Sequence, residues 1–194
     1  MHGLINRAVQ TFVCRTYGGE CWRRAVGVAG FDSAEFEAML DYDDSRSLAL
    51  VEAICAELGR PRAELLEDLG TYLVSHPQCD PVRRLLRFGG VTYVDFLHSL
   101  DDLPGRVRLA VAELDLPGME LREYGPGFFS LTCQPGLPGF GSVMMGLLRA
   151  MADDYGALVM LDHRGRNDGR EVISIALVDT AFAKGRAFAL GAGE

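Results

Sequence analysis

The chain has 194 residues, 48% of them hydrophobic and 24% charged, with a formal charge of −8. That length supports one domain with a sizeable core or two small modules sharing an interface, and that apolar content excludes a disordered chain. The acidic balance argues against nucleic-acid binding, which needs a cationic surface.

Along the first two thirds the apolar residues recur at helical spacing. Leu4, Ile5, Ala8, Val9, Phe12 and Val13 form one stripe. A short helix is expected around Glu20 to Val28, another around Ala34 to Leu40, and a longer one from about Arg46 to Leu58, closed by Gly59, which permits a left-handed cap. Leu65, Leu66, Leu69, Tyr72 and Leu73 make the next stripe, opened by Pro61. Tyr93, Phe96, Leu97, Leu100 and Leu103 then predict one amphipathic helix, with Asp95, His98 and Asp102 on its solvent side. The next position on its inner face is Pro104, whose missing N–H is expected to end or bend the helix there.

After Gly118 the texture changes. MELREY and FFSLTC read as strands separated by GPG; Phe140, Val143, Met144, Leu147, Leu148 and Met151 form a helical stripe; ALVMLDH and EVISIALV read as strands joined through Asp168-Gly169, a hairpin signal. The fold class is therefore α+β: an N-terminal helical lobe packed on a C-terminal lobe with a small antiparallel sheet of about four strands and a helix. The chain reads as a single domain over 1–194, with a helical lobe at 1–116 and a mixed lobe at 117–194.

No window approaches the about 18 to 20 apolar residues of a membrane span, and MHGLINRAVQ has no secretory core ahead of a cleavage site, so the chain reads as cytoplasmic. The five cysteines are scattered without a CxxC pair and read as reduced thiols. His98 reads as a surface residue, His163 as part of a solvated basic loop, and His76 with Cys79 as a loop rather than a metal site. The acidic run from Asp32 to Asp44 lacks the glycine and ligand spacing of a calcium loop and reads as a solvated face. Met144 and Met151 read as core, with Met145 off the stripe. No Walker loop, GxSxG, HExxH or GxGxxG occurs, and nothing supplies a nucleophile with its base, so no enzymatic activity is expected.

The order of these pieces resembles one family nearly end to end. MHGLINRAV, YGGECW, Tyr42-Asp43 with the helix ending at AELG, LLEDLGTYLV, LLRFGGVTYVDFL, LPGM and QPGL are similar, in that order, to the heme nitric oxide/oxygen-binding (H-NOX) domains of bacterial gas sensors and of soluble guanylate cyclase. The resemblance implies two lobes clasping heme, with a proximal histidine supplied by an F-L-x-x-L-D-x-L-H segment. Here that segment is FLHSLDDLP, and the ligand position is Pro104. A proline ring has no lone pair to donate to iron.

The family's propionate anchor, Y-x-S-x-R, falls on Ser130, Thr132 and Gln134 when counted back from Pro-Gly-Leu. Thr132 keeps a hydroxyl, but glutamine has neither the charge nor the fork of arginine. The expectation is a stand-alone sensory module without histidine-ligated heme. It would act through contact with a cyclase, diguanylate cyclase or histidine kinase, and a small apolar ligand could sit in an interlobe pocket with Ile5, Leu100 and Met144 as candidate lining. The alternative is a divergent heme gas sensor ligated by His2 or Cys133. In a strand, Cys133 would face away from Thr132 and Gln134.

Overall fold

The first helix, α1 (Gly3–Thr16), is capped by His2, whose side chain accepts from the Leu4 amide. With α2 (Gly19–Val28) and α3 (Asp44–Leu58) it buries Phe12, Val13, Trp22, Leu50 and Ile54. Asp43 caps α3 by accepting from the Arg46 amide, and Gly59 ends it in the left-handed conformation, φ 62°. The computed structural model describes residues 1–188; residues 189–194, which the sequence reading places at the end of the mixed lobe, lie outside the described residues.

Ala34–Leu40 is not helical, contrary to the periodicity. Its backbone groups are engaged elsewhere. Trp22 Nε1 donates to the Ala34 carbonyl at 2.7 Å, the Phe36 amide donates to Gln10 Oε1, and the Leu40 carbonyl accepts from the Gly3 amide at 2.7 Å. Gly3 is required there, since a Cβ would stand 2.0 Å from the Glu37 carbonyl oxygen.

By internal contacts the chain divides into Met1–Leu65 and Leu66–Glu194, and α4 (Arg62–Ser75) carries the backbone from one to the other. The second unit contains α5 (Asp80–Arg87), α6 (Tyr93–His98), α7 (Leu103–Ala110), β1 (Met119–Gly125), β2 (Phe128–Cys133), α8 (Phe140–Tyr155), β3 (Leu158–Asn167) and β4 (Arg170–Asp179). Strands begin where the texture changes, just past Gly118, but α5 to α7 share a core with the sheet. The four strands are antiparallel in the order β1-β2-β4-β3. Asp168 and Gly169 turn the last hairpin with φ 49° and 77°, as a two-residue primed turn demands.

Alternation gives the sheet an inner and an outer face. Phe129, Leu131 and Cys133 of β2 and Ile173 and Ile175 of β4 are buried in one cluster with Leu97, Leu100 and Leu103 and with Met144, Leu148 and Met151 of α8. Met145 is also buried, at 5% exposure, so it does not lie off the packed surface. The reason is a second contact on α8, where Thr71 Oγ1 reaches the Gly146 carbonyl and Glu67 pairs with Arg149 at 3.2 Å. No described helix is long and apolar enough to cross a membrane.

Candidate functional site

The single helix expected from Tyr93 to Pro104 is two helices. Thr92 and Asp95 form a capping box that starts α6, which ends at His98; tight turns lead to α7, beginning at Leu103. Pro104 therefore neither ends nor bends a helix. It sits in the first turn of α7, where an amide N–H has no intrahelical partner and its loss costs little. The ring is buried, beside Leu103 and Val107.

Ser130 and Thr132 project from the outer face of β2, between the buried Phe129, Leu131 and Cys133. Gln134 extends that side, and its Oε1 accepts from Arg170 Nε at 3.2 Å. Ser130 also belongs to a half-open groove of ≈ 540 Å³ on the outer face, where Ser174 and Ala176 share the floor and Phe128 and Met160 rise beside it. Leu100 and Leu103, which flank the Pro104 turn, pack instead against the inner face. The proximal position and the three anchor positions are thus on opposite sides of the sheet.

Arg170 is a neighbour of the anchor positions that motif counting overlooked. It supplies a guanidinium beside the position where the family pattern would put arginine, but from β4 rather than from β2. Its signal in the sequence was its place after Asp168-Gly169, which sets its parity opposite to that of the inward Glu171.

The alternative ligands are differently engaged. His2 is buried at 6% exposure, and because Nδ1 accepts the Leu4 amide at 3.2 Å, the neutral ring carries its proton on Nε2. Nε2 has no hydrogen-bond partner, and freeing its lone pair would place a hydrogen on Nδ1 and undo the cap. Cys133 is 1% exposed on the inner face; burial, with a smaller contribution from the Glu171 carboxylate, pushes its thiol up to about 12. His98 is surface-exposed, with its ring against the edge of Phe129 and Nε2 at 3.7 Å from Glu123. Leu100 and Met144 are core residues at 0% and 1% exposure, and Ile5 is half-buried in the first unit.

His163 is not in a solvated loop. β3 continues through it, and it turns inward to place Nε2 at 3.1 Å from Glu171 Oε2, while Glu171 Oε1 accepts from the Gly139 amide at the start of α8. A Cβ on Gly141 would meet both partners within 3 Å, at 2.6 and 2.8 Å. Among the described residues no group of three or more His, Cys, Asp or Glu side chains is placed to hold a metal ion.

What these observations define is an α+β domain with a four-stranded antiparallel sheet and a proximal-type helix pair packed on its inner face. The haem-NO-binding family model matches residues 2–163, and the chain belongs to that family. It is 21% identical over 160 residues to soluble guanylate cyclase 89Db of Drosophila melanogaster, covering 82% of this chain and 24% of that protein. It is 29% identical over 123 residues to soluble guanylate cyclase gcy-35 of Caenorhabditis elegans, covering 63% and 18%. The chain thus spans a quarter or less of these relatives. Unliganded Fe(II) H-NOX from K. algicida superposes with a TM-score of 0.78 at 16% identity, covering 95% of this chain and all of that one. A T. tengcongensis H-NOX mutant gives 0.76 at 15%, covering 94% and 100%.

Heme held in the manner the family motifs describe does not fit the residues present. Position 104 offers no donor atom, and the three anchor positions lie on the face of β2 opposite to the one that Leu100 and Leu103 pack against.

Proposed function

We propose that this chain is a sensory or signalling module of the haem-NO-binding family that has given up histidine-ligated heme and works through contact with a signalling protein. The observation that carries the reading is Pro104: a buried tertiary amide in the first turn of α7, at the position the family uses for its iron ligand. The surroundings support a maintained fold rather than decay, because α6, α7 and the sheet still bury Leu97, Leu100, Leu103 and Leu131 together. The guanylate cyclase relatives favour a nucleotide cyclase among the partner classes, with diguanylate cyclases and histidine kinases as the others. Both alternative ligands count against a divergent heme sensor, since His2 is committed as an acceptor and Cys133 as a buried thiol.

The test is an absorption spectrum of the purified chain, expressed with heme supply and then read with and without added hemin. The expected result is no stoichiometric Soret band of a five-coordinate histidine-ligated heme. A stoichiometric band of that kind overturns the proposal.

A further inference from the structure

After β4 the chain turns back across the end of α8, and one buried carboxylate organises that return. Asp154, at 2% side-chain exposure, receives Arg83 Nε on Oδ1 at 2.7 Å, has Arg87 Nη1 at 3.6 Å from Oδ2, and has Arg186 Nε at 3.7 Å from Oδ1. Asp80, half-exposed, lies 3.6 Å from Arg83. Three guanidiniums thus surround one buried carboxylate, two of them from α5 and one from the returning segment.

Residues 183–188 are tied down by more than that charge. The Ala183 amide donates to the Gly156 carbonyl at 3.0 Å, the Arg186 amide to the Asp154 carbonyl at 2.9 Å, and Arg83 Nη2 to the Ala187 carbonyl at 3.0 Å. The backbones lie so close that a Cβ on Gly156 would stand 2.1 Å from the Ala183 carbonyl oxygen. Yet Ala183, Lys184, Arg186 and Ala187 are exposed, so little apolar burial holds the segment. A segment with few buried contacts opens more readily than the core beneath it.

The link inward runs through Arg87. Its guanidinium lies 5.0 Å from the Phe188 ring centroid and 3.9 Å from that of Tyr155. Tyr155 in turn packs against Tyr93 and Phe96 of α6, at 6.1 and 6.0 Å between ring centroids, and its hydroxyl donates to the Gly90 carbonyl at 2.9 Å. We propose that residues 183–188 are a detachable strap, clasped by Asp154 and its arginines, whose docking is coupled to α6 through the Phe188–Arg87–Tyr155 stack. A shift of α6 moves the Tyr155 ring, Arg87 loses one partner of its stack, and Phe188 loses the nearer of the two guanidiniums over its ring, keeping only that of Arg83 at 5.7 Å. By linkage the effect runs equally in reverse: releasing the strap loosens α6. The inference is independent of whether heme binds.

Amide hydrogen exchange on the full chain tests it. In the unmodified protein the Ala183 and Arg186 amides are protected despite their exposed side chains. Phe188→Ala removes the half-buried stacking ring and raises exchange at both amides by about tenfold, the loss expected for a partly desolvated cation–π contact. The same variant raises exchange at Phe96 and Leu97, while the melting temperature stays put. Tyr93→Phe, which removes only the hydroxyl bond to the Leu148 carbonyl, raises exchange at Ala183 and Arg186. Arg164→Gln, on the outer sheet face, moves neither set. Unprotected strap amides in the unmodified chain, or strap variants that leave α6 unchanged, or a Tyr93→Phe chain with an unaltered strap, would each overturn the proposal.

Discussion

Gly146 of α8 lies against the backbone of Glu67 in α4: a Cβ added to Gly146 would stand 1.8 Å from the Glu67 carbonyl oxygen and 2.9 Å from the Thr71 nitrogen. Gly70 is its counterpart, 2.0 Å from the Val143 carbonyl by the same construction. The two helices cross with backbone against backbone, which buries the second surface of α8. Rigid main chain cannot yield as a side chain does, so Gly146→Ala is expected to destabilise the protein by about 3 kcal/mol, the upper end of ordinary overpacking. Urea denaturation reads it. A change within about 0.5 kcal/mol would mean the helices slide apart freely, and that this crossing does not define the packing.

Restoring the lost motif residues is expected to fail. Pro104→His with Gln134→Arg returns both family side chains, but position 104 stays in the turn packed on the inner sheet face and position 134 stays outside beside Arg170. The double variant, reconstituted with hemin, should show no stoichiometric five-coordinate spectrum. Appearance of that spectrum would show that β2 can turn its outer face toward α7, and the face assignment would fall with it.

Cys133 should behave as an inert core atom. With its thiol pushed up to about 12, chiefly by burial, almost none is thiolate near neutral pH. Mass-spectrometric mapping after brief alkylation at about pH 8 should leave Cys133 unmodified until denaturant is added. Cys14 and Cys79, only partly buried, label sooner. Rapid labelling of Cys133 in the folded chain would reveal a thiolate-stabilising environment and reopen the sulfur-ligated alternative.

Much of this fold is visible in the residues because its signals are local. The stripes of α1 and α8, the Asp43 and Gly59 ends of α3, and Asp168-Gly169 all act within a few positions of themselves. What escaped was decided by distant partners. Ala34–Leu40 carries helical spacing, but Trp22, Gln10 and Gly3 take its backbone groups. The break after His98 falls inside an unbroken apolar pattern, because both helices bury the same side. His163 looked solvated until the pairing of β3 with β4 set Ile173 opposite it and brought the Glu171 carboxylate, two residues along β4, within reach of its ring. The site divides the same way: the chemistry of Pro104 and Gln134 is plain from their identities, whereas their separation by a sheet, and the approach of Arg170, emerge only from pairing.

Acid should weaken two helix starts in a defined direction. Asp95 closes the α6 capping box by accepting from the Thr92 amide at 2.9 Å, and that bond, with the Thr92 hydroxyl, holds its carboxyl below the ordinary value of 3.8. Asp43 at α3 is lowered likewise, by the Ser45 hydroxyl first and the Arg46 amide next. Because the folded-state value is depressed, the folded chain binds these protons less readily than the unfolded chain. The stabilisation is therefore complete above the ordinary value and disappears as pH falls through the lowered one. Melting temperature should begin to drop below about pH 5 and go on falling below the ordinary value of 3.8, and the Asp43→Asn, Asp95→Asn double variant should show a shallower drop, since its amides have no proton to gain. Parallel curves for the two proteins would mean that neither carboxylate contributes to the acid sensitivity.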